Sequence, residues 1–191
     1  QFGIALPLSF LNTLRNEDWT VISTIIIRRN GTSPGLDNNW QVGGAVLGGF
    51  KANETLKYKL GLYVNKEFFG IFVVPLIGID WQISKTTNLF GILPGSLTLE
   101  HRVMNRFYAG ASFRAITNSY KTPDGFCRLD ENRIGIFADL YISKNVLANI
   151  EAGHSILRKI RTGENKKEYK NWNINNNFYF KTAIAYRIRL R

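Results

Sequence analysis

Apolar and polar residues alternate with period two along most of this chain, and helical periodicity is almost absent. In "LKYKLGLYVN" (56–65), Leu56, Tyr58, Leu60, Leu62 and Val64 stand opposite Lys57, Lys59, Gly61, Tyr63 and Asn65. In "RIGIFADLYIS" (133–143), Ile134, Ile136, Ala138, Leu140 and Ile142 oppose Arg133, Gly135, Phe137, Asp139 and Tyr141. Residues 146–156 set Val146, Ala148, Ile150, Ala152 and Ile156 against Asn149, Glu151, Gly153 and Ser155. Toward the end, Phe178, Phe180, Ile184, Tyr186, Ile188 and Leu190 face away from Lys181, Ala183, Ala185, Arg187 and Arg189. Weaker alternation runs over 40–51, 76–84 and 107–118. The β-branched stretch "WTVISTIIIR" (19–28) reads as strand with its facing open.

This pattern predicts ten strands near 2–12, 18–29, 39–51, 55–65, 76–84, 89–103, 106–119, 132–143, 146–158 and 177–190. Short polar connections fall at 52–55, 85–87, 104–106 and 144–145, and longer ones at 30–39, 66–75, 119–131 and 159–176. Twelve strands is the alternative. It follows if Pro94-Gly95 is a hairpin tip and the chain also breaks at Pro7. No linker interrupts the series, so residues 1–191 form a single domain.

Alternation alone fits a soluble antiparallel sheet with one solvated face. Three features favour a membrane barrel. Several strands run well past the soluble mode of about 5–6 residues, into the roughly 9–11 that a tilted spanning strand needs. The polar faces carry Gly61, Gly78, Gly110, Gly135 and Gly153, which weaken a solvated strand but help pack a crowded lumen. Connections alternate between short and long, as tight periplasmic turns and outer loops do. Trp40, Tyr58, Trp81, Phe107, Phe178 and Tyr186 lie on the apolar faces, several near strand ends, as membrane-interface aromatics do. The fold class expected is therefore all-β: a transmembrane, antiparallel, up-and-down β-barrel with apolar residues toward lipid.

Composition changes this picture little. Apolar content is 45%, and the chain lacks the run of about 18 apolar residues that a spanning helix needs. No signal peptide is visible, and the chain opens on Gln1, as a processed or truncated form does. The single cysteine, Cys127, excludes an intrachain disulfide and a cysteine-based zinc site. A net charge of +11 calls for an anionic partner: nucleic acid, phospholipid or lipopolysaccharide phosphate.

The stretches "LKYKLGLYV", "VVPLIGIDWQIS", "LFGILPGSLTLEHRV", "RFYAGASFRAITNSYK" and "FYFKTAIAYRIRL" resemble an uncharacterised family of small outer-membrane β-barrel proteins typical of the Bacteroidota. The resemblance spans most of the chain. It implies a barrel, integral outer-membrane location and insertion by the barrel-assembly machinery; it implies no activity. Barrels of this class end on an aromatic residue, whereas this chain ends Leu190-Arg191, so it is either trimmed or carries an atypical terminal signal.

With the apolar faces toward lipid, the polar faces enclose Lys57, Lys59, Asp80, Glu100, Arg102, Arg114, Arg133, Asp139, Glu151, Lys181, Arg187 and Arg189. Mixed charges in a low-dielectric interior should pair, because an unpaired buried charge is costly. Lys159, Arg161, Lys166, Lys167 and Lys170 mark the longest loop as a contact for lipopolysaccharide or a partner protein.

Candidate chemistry is sparse. A lipid hydrolase needs a nucleophile within reach of a histidine base. His154 and Ser155 are adjacent on a strand and so face opposite sides, while His101 neighbours only Glu100 and Arg102. Two distant histidines make no metal site, and no cofactor motif is present. Aromatic and basic residues fall on opposite faces, which argues against nucleic acid. The expectation is a non-catalytic structural or accessory subunit of an outer-membrane assembly, with a side-chain-filled lumen. The alternative is a narrow, weakly anion-selective channel, and less favoured still is a lipid-modifying enzyme.

Overall fold

Strand alternation dominates the computed structural model, which describes residues 2–14, 18–33, 39–164 and 167–187. Among these residues there is no helix. Twelve strand segments follow in chain order: β1 (Phe2–Thr13), β2 (Trp19–Gly31), β3 (Trp40–Asn53), β4 (Leu56–Glu67), β5 (Gly70–Gln82), β6 (Thr87–Leu93), β7 (Ser96–Met104), β8 (Phe107–Thr122), β9 (Gly125–Tyr141), β10 (Val146–Glu164), β11 (Lys167–Asn173) and β12 (Asn177–Tyr186).

Each strand from β1 to β10 pairs antiparallel with the next, in one continuous sheet. Strands β2 to β8 form a closed seven-stranded barrel. It closes where Gly31 of β2 bridges Lys121 of β8, supported by the Thr32 amide donating to the Lys121 carbonyl at 3.0 Å. The other five strands continue the sheet on either side. β1 lies along β2, and β9 and β10 follow β8. β11 and β12 lie end to end on β10, pairing with its 159–164 and 146–155 stretches respectively.

Short polar turns define one end of the barrel, the near end. Asn53 Oδ1 accepts from the Thr55 amide at 2.9 Å between β3 and β4. Ser84 Oγ accepts from the Thr87 amide at 3.0 Å between β5 and β6. These side chains satisfy turn amides locally, which is why Asn and Ser punctuate the chain there. At the opposite, far end, β9 opens on Gly125 with a φ of +154°, a conformation that excludes a side chain.

Three sequence expectations require correction. The stretch 89–103 is two strands, β6 and β7, with Pro94 and Gly95 at the hairpin tip. β1, by contrast, runs unbroken through Pro7. Neither the ten-strand list nor the twelve-strand alternative matches in detail, because the additional segment is β11. Finally, 66–75, 119–131 and 159–176 are not long loops. Only residues 68–69 separate β4 from β5, residues 123–124 separate β8 from β9, and β10 runs on to Glu164 before β11. In 66–75 the apolar stripe runs on through Ile71 and Val73; in the other two stretches the alternation fails, but pairing continues because backbone hydrogen bonds do not depend on it.

Burial is inverted relative to a soluble domain. Among the described residues Leu47, Phe126, Tyr141 and Leu147 are the buried hydrophobic ones, whereas Asn39, Gln41, Asn65, Glu67, Glu100, Ser119, Asp139 and Glu151 are among the buried polar ones. Along β4, Tyr58, Leu60, Leu62 and Val64 are exposed and Asn65 and Glu67 are buried. The apolar stripe thus covers the outside of the sheet and the polar stripe lines its inside.

Candidate functional site: a charged lumen

Side chains of the inner face organise into two polar clusters and a cavity. The first cluster centres on Glu151 of β10, which is 1% exposed. Arg114 of β8 grips it with both guanidinium nitrogens at 2.9 Å. Tyr179 of β12 donates its hydroxyl to Glu151 at 2.7 Å, and Lys181 Nζ lies 4.0 Å away. Strand register explains this convergence. Glu151 is directly opposite Lys181 on β12, and Gly135 and Gly153 beside it leave space for the Tyr179 ring. Arg133 lies over that ring at 5.3 Å and pairs with Glu131, which also accepts from Ser155 Oγ at 2.9 Å.

A Gly135→Leu substitution should therefore evict Tyr179 and break its bond to Glu151. The expected cost is about 1–3 kcal/mol, the usual range for overpacking. Urea titration of the folded protein by tryptophan fluorescence measures it, and a neutral result would contradict the packing described.

Toward the near end the lumen widens into a cavity of about 990 Å³ lined by Lys57, Asp80, Asn88, Glu100, Asp139 and Arg187, among others. Its wall charges are largely paired. Lys59 meets Asp80 at 2.6 Å, while Arg187 bridges Asp139 at 2.9 Å and Glu100 at 3.6 Å. Asn149 donates to Asp139 at 2.6 Å. Lys57 is half-buried in this wall and has no ion-pair partner among the described residues.

At the far end a polar knot joins β8 to β3 and β4. The β6–β7 tip stops part-way up the wall, where the Ala115 amide donates to the Gly95 carbonyl at 2.9 Å. Beyond that level β8, β9 and β10 continue as an arm whose faces change character. The face that is apolar below, through Ala111, Phe113, Ile134 and Ile136, carries Thr117, Ser119, Arg128, Asp130 and Arg161 above. This face packs against the inner side of β3–β5. Ser119 Oγ donates to Glu67 at 2.5 Å and accepts from Gln41 Nε2 at 2.9 Å. Gln41 also donates to Glu67, Asn65 donates to Glu67 at 2.5 Å, and Asn30 donates to Gln41 at 2.8 Å. Arg28 stands 3.8 Å from Glu67. Beside this knot Phe126 meets Phe69, and the Arg128 guanidinium lies 4.3 Å over the Phe69 ring.

Of the lumen residues expected from sequence, Lys59, Asp80, Glu100, Arg114, Arg133, Asp139, Glu151, Lys181 and Arg187 all make the ion pairs described. Arg102 does not join them. It is exposed at the near end, with its guanidinium 3.5 Å from the Lys85 carbonyl. Arg189 lies outside the described residues. The supposed basic loop is mostly strand. Lys159 and Arg161 are half-buried on β10, with Arg161 3.6 Å from Asp130. Lys167 and Lys170 are exposed on β11, and Lys166 lies outside the described residues.

The aromatics Trp40, Tyr58, Trp81, Phe178 and Tyr186 are exposed, and Phe107 is half-buried. Register places Trp19, Phe50 and Tyr58 in one row on β2, β3 and β4, with Trp19 and Phe50 rings 4.9 Å apart. Trp19 escaped the sequence reading because the facing of 19–28 was open.

Sequence reasoning also missed Arg28, Gln41, Glu67, Ser119 and Glu131. Glu67 continues the inward parity of Lys57, Lys59 and Asn65, and that signal could have found it. His154 packs edge-on against Phe178 at 4.8 Å, whereas Ser155 points to Glu131, so the two form no dyad. Among the described residues no three His, Cys, Asp or Glu side chains gather in a metal-binding group. No protein-family model, curated protein or solved structure matches the chain.

Proposed function

We propose that this chain is an integral outer-membrane β-barrel acting as a non-catalytic structural or accessory subunit, with its lumen closed by its own side chains. The observation that carries the reading is the inversion of burial: charged residues inside, an apolar belt outside. The height of that belt supports it. Trp40 and Phe50 mark its two margins on β3, ten residues apart. At about 3.4 Å per residue and a tilt of about 35–45°, the rise is about 24–28 Å. The apolar band of an outer-membrane barrel is about 25 Å tall. Closure comes from the Gln41–Ser119–Glu67 knot, which occupies the far end of the lumen. Exposed Lys167 and Lys170 on β11 are placed to meet lipopolysaccharide phosphates or an acidic partner protein.

Planar-bilayer recording tests the closed lumen. The purified protein should insert without giving steady conductance steps. The cavity at the near end favours a second reading, a narrow anion-selective channel. Steady anion currents that fall on Arg114→Glu would establish that reading and overturn the closed one.

A further inference from the structure

The near-end cavity is furnished unevenly. On the side of β8, β9 and β10 its charged groups are already satisfied: Arg187 holds Asp139 and reaches Glu100, and Arg114 holds Glu151. The side formed by β4 to β7 is different. Lys57, Asp80, Phe90 and Thr98 lie in one register row across these four strands, and Asn88 stands one inward position nearer the rim. All five residues line the cavity. Asp80 is taken by Lys59. The side chains of Lys57, Asn88 and Thr98 have no hydrogen-bond or ion-pair partner among the described residues.

Phe90 is the anomaly in this wall. Its row faces inward, because it pairs with Asp80 on one side and Thr98 on the other, and Ile92 shares the same face with Lys59 over Gly78. Yet Phe90 is 38% exposed and makes no ring contact among the described residues. Phe137, the inward ring on β9, instead packs over Gly110. A ring left bare in a polar lumen forgoes burial that a ligand would supply, and a bare ring ringed by a few free polar groups is the usual make-up of a small-molecule site.

We infer that this cavity binds a small acidic sugar, a hydroxylated ring carrying one carboxylate or phosphate, which enters from the near end. The apolar face of the ring lies on Phe90. Asn88 and Thr98 can each donate and accept, and so match its hydroxyls. Lys57 stands two strands from Phe90, about 9–10 Å, and its ammonium meets the anionic group at the edge of the ring. An aromatic carboxylate would engage Lys57 and Phe90 but leave Asn88 and Thr98 without partners, which costs affinity. At about 990 Å³ the cavity has room for such a molecule, and the turn residues Asn53 and Thr55 at its rim give access. The inference goes beyond the accessory-subunit reading and does not rest on it, since the lining is the same whether lipid or water surrounds the barrel.

Saturation-transfer NMR titration of the full chain, folded in detergent, tests this with glucuronate, glucose 6-phosphate, glucose and benzoate as probes. At least one acidic sugar should bind about tenfold to a hundredfold more tightly than glucose, the difference that a charge-assisted bond makes. The better of the two assigns the anionic group as carboxylate or phosphate. Lys57→Met should remove that advantage and leave glucose binding unchanged. Phe90→Ala should weaken the acidic sugar and glucose alike, by about fivefold to tenfold. Thr98→Val should weaken both by about threefold to tenfold. Lys57→Met and Thr98→Val keep side-chain size, so they test the site even if Phe90→Ala fails to fold. Lys85→Met, on the exposed β5–β6 turn, should change nothing.

Benzoate bound as tightly as the acidic sugar would overturn the inference. So would glucose bound as tightly as both acids, affinity for the acidic sugar that survives Lys57→Met and Thr98→Val, or no binding by any probe. Bilayer conductance is a separate readout: it decides whether the lumen passes ions, and either result leaves binding in the near-end cavity to stand or fall on the titration.

Discussion

Leu62→Arg is expected to destabilise the barrel in a bilayer by about 2–4 kcal/mol, the range for a cation at mid-membrane on the lipid face. Leu62 is 47% exposed and sits between Val46 on β3 and Pro75 on β5, in the middle of the apolar belt. The same charge at Tyr58, nearer the aromatic margin, should cost only about 0–1 kcal/mol, because the side chain reaches the interface. If this face were instead solvated, both changes would fall within about 0.5 kcal/mol of neutral, as exposed substitutions in soluble domains do. Urea titration of the protein folded into lipid vesicles, followed by tryptophan fluorescence, measures both variants. A depth-dependent penalty supports the lipid-facing reading, and two equal, small effects would remove it.

That alternation was legible because lipid and lumen impose opposite demands on successive residues. β4 and β12 follow it residue by residue, and the charge pairs Lys59–Asp80, Arg114–Glu151 and Arg187–Asp139 follow from the same parity. Legibility ends where a strand leaves the apolar belt. In β8, β9 and β10 above the hairpin tip, both faces are mixed: one joins the inner network through Glu131 and Arg133, the other covers the barrel mouth through Ser119 and Arg128. With no continuous apolar stripe, such strands carry the composition of loops, and the stretches 119–131 and 159–176 read that way. Pro94-Gly95 is a different case. A Pro-Gly pair fits a kink or a turn equally well, and only the pairing of Gly91 with Leu97 decides it. The knot around Glu67 was invisible because its members come from β2, β3, β4 and β8, and nothing local in the sequence predicts that β8 bends over the mouth.

The knot gives the sharpest separation of stability from closure. Glu67 collects donors from Gln41, Asn65 and Ser119 and faces Arg28, and its side chain is 2% exposed. Glu67→Ala leaves these donors and the Arg28 charge without their acceptor in a buried site. Breaking a buried pair by removing one partner costs about 3–5 kcal/mol. Arg28 retains 22% exposure and can be partly hydrated, so about 3 kcal/mol is the expected loss. Glu151→Ala should cost a similar amount for the same reason, since it strands Arg114 and Lys181. The two variants differ in what they open. Glu151 lies below the closure, and its loss leaves the Gln41–Ser119 contact in place. Glu67 holds that contact together, so its loss frees the β8–β10 arm from the mouth. Planar-bilayer recording should show conductance steps for Glu67→Ala and none for Glu151→Ala, at matched destabilisation in urea. Conductance from both would trace the pore to general loosening of the barrel. Silence from both, with the stability loss confirmed, would mean that the arm is held by Phe126 and Arg128 against Phe69 rather than by the carboxylate.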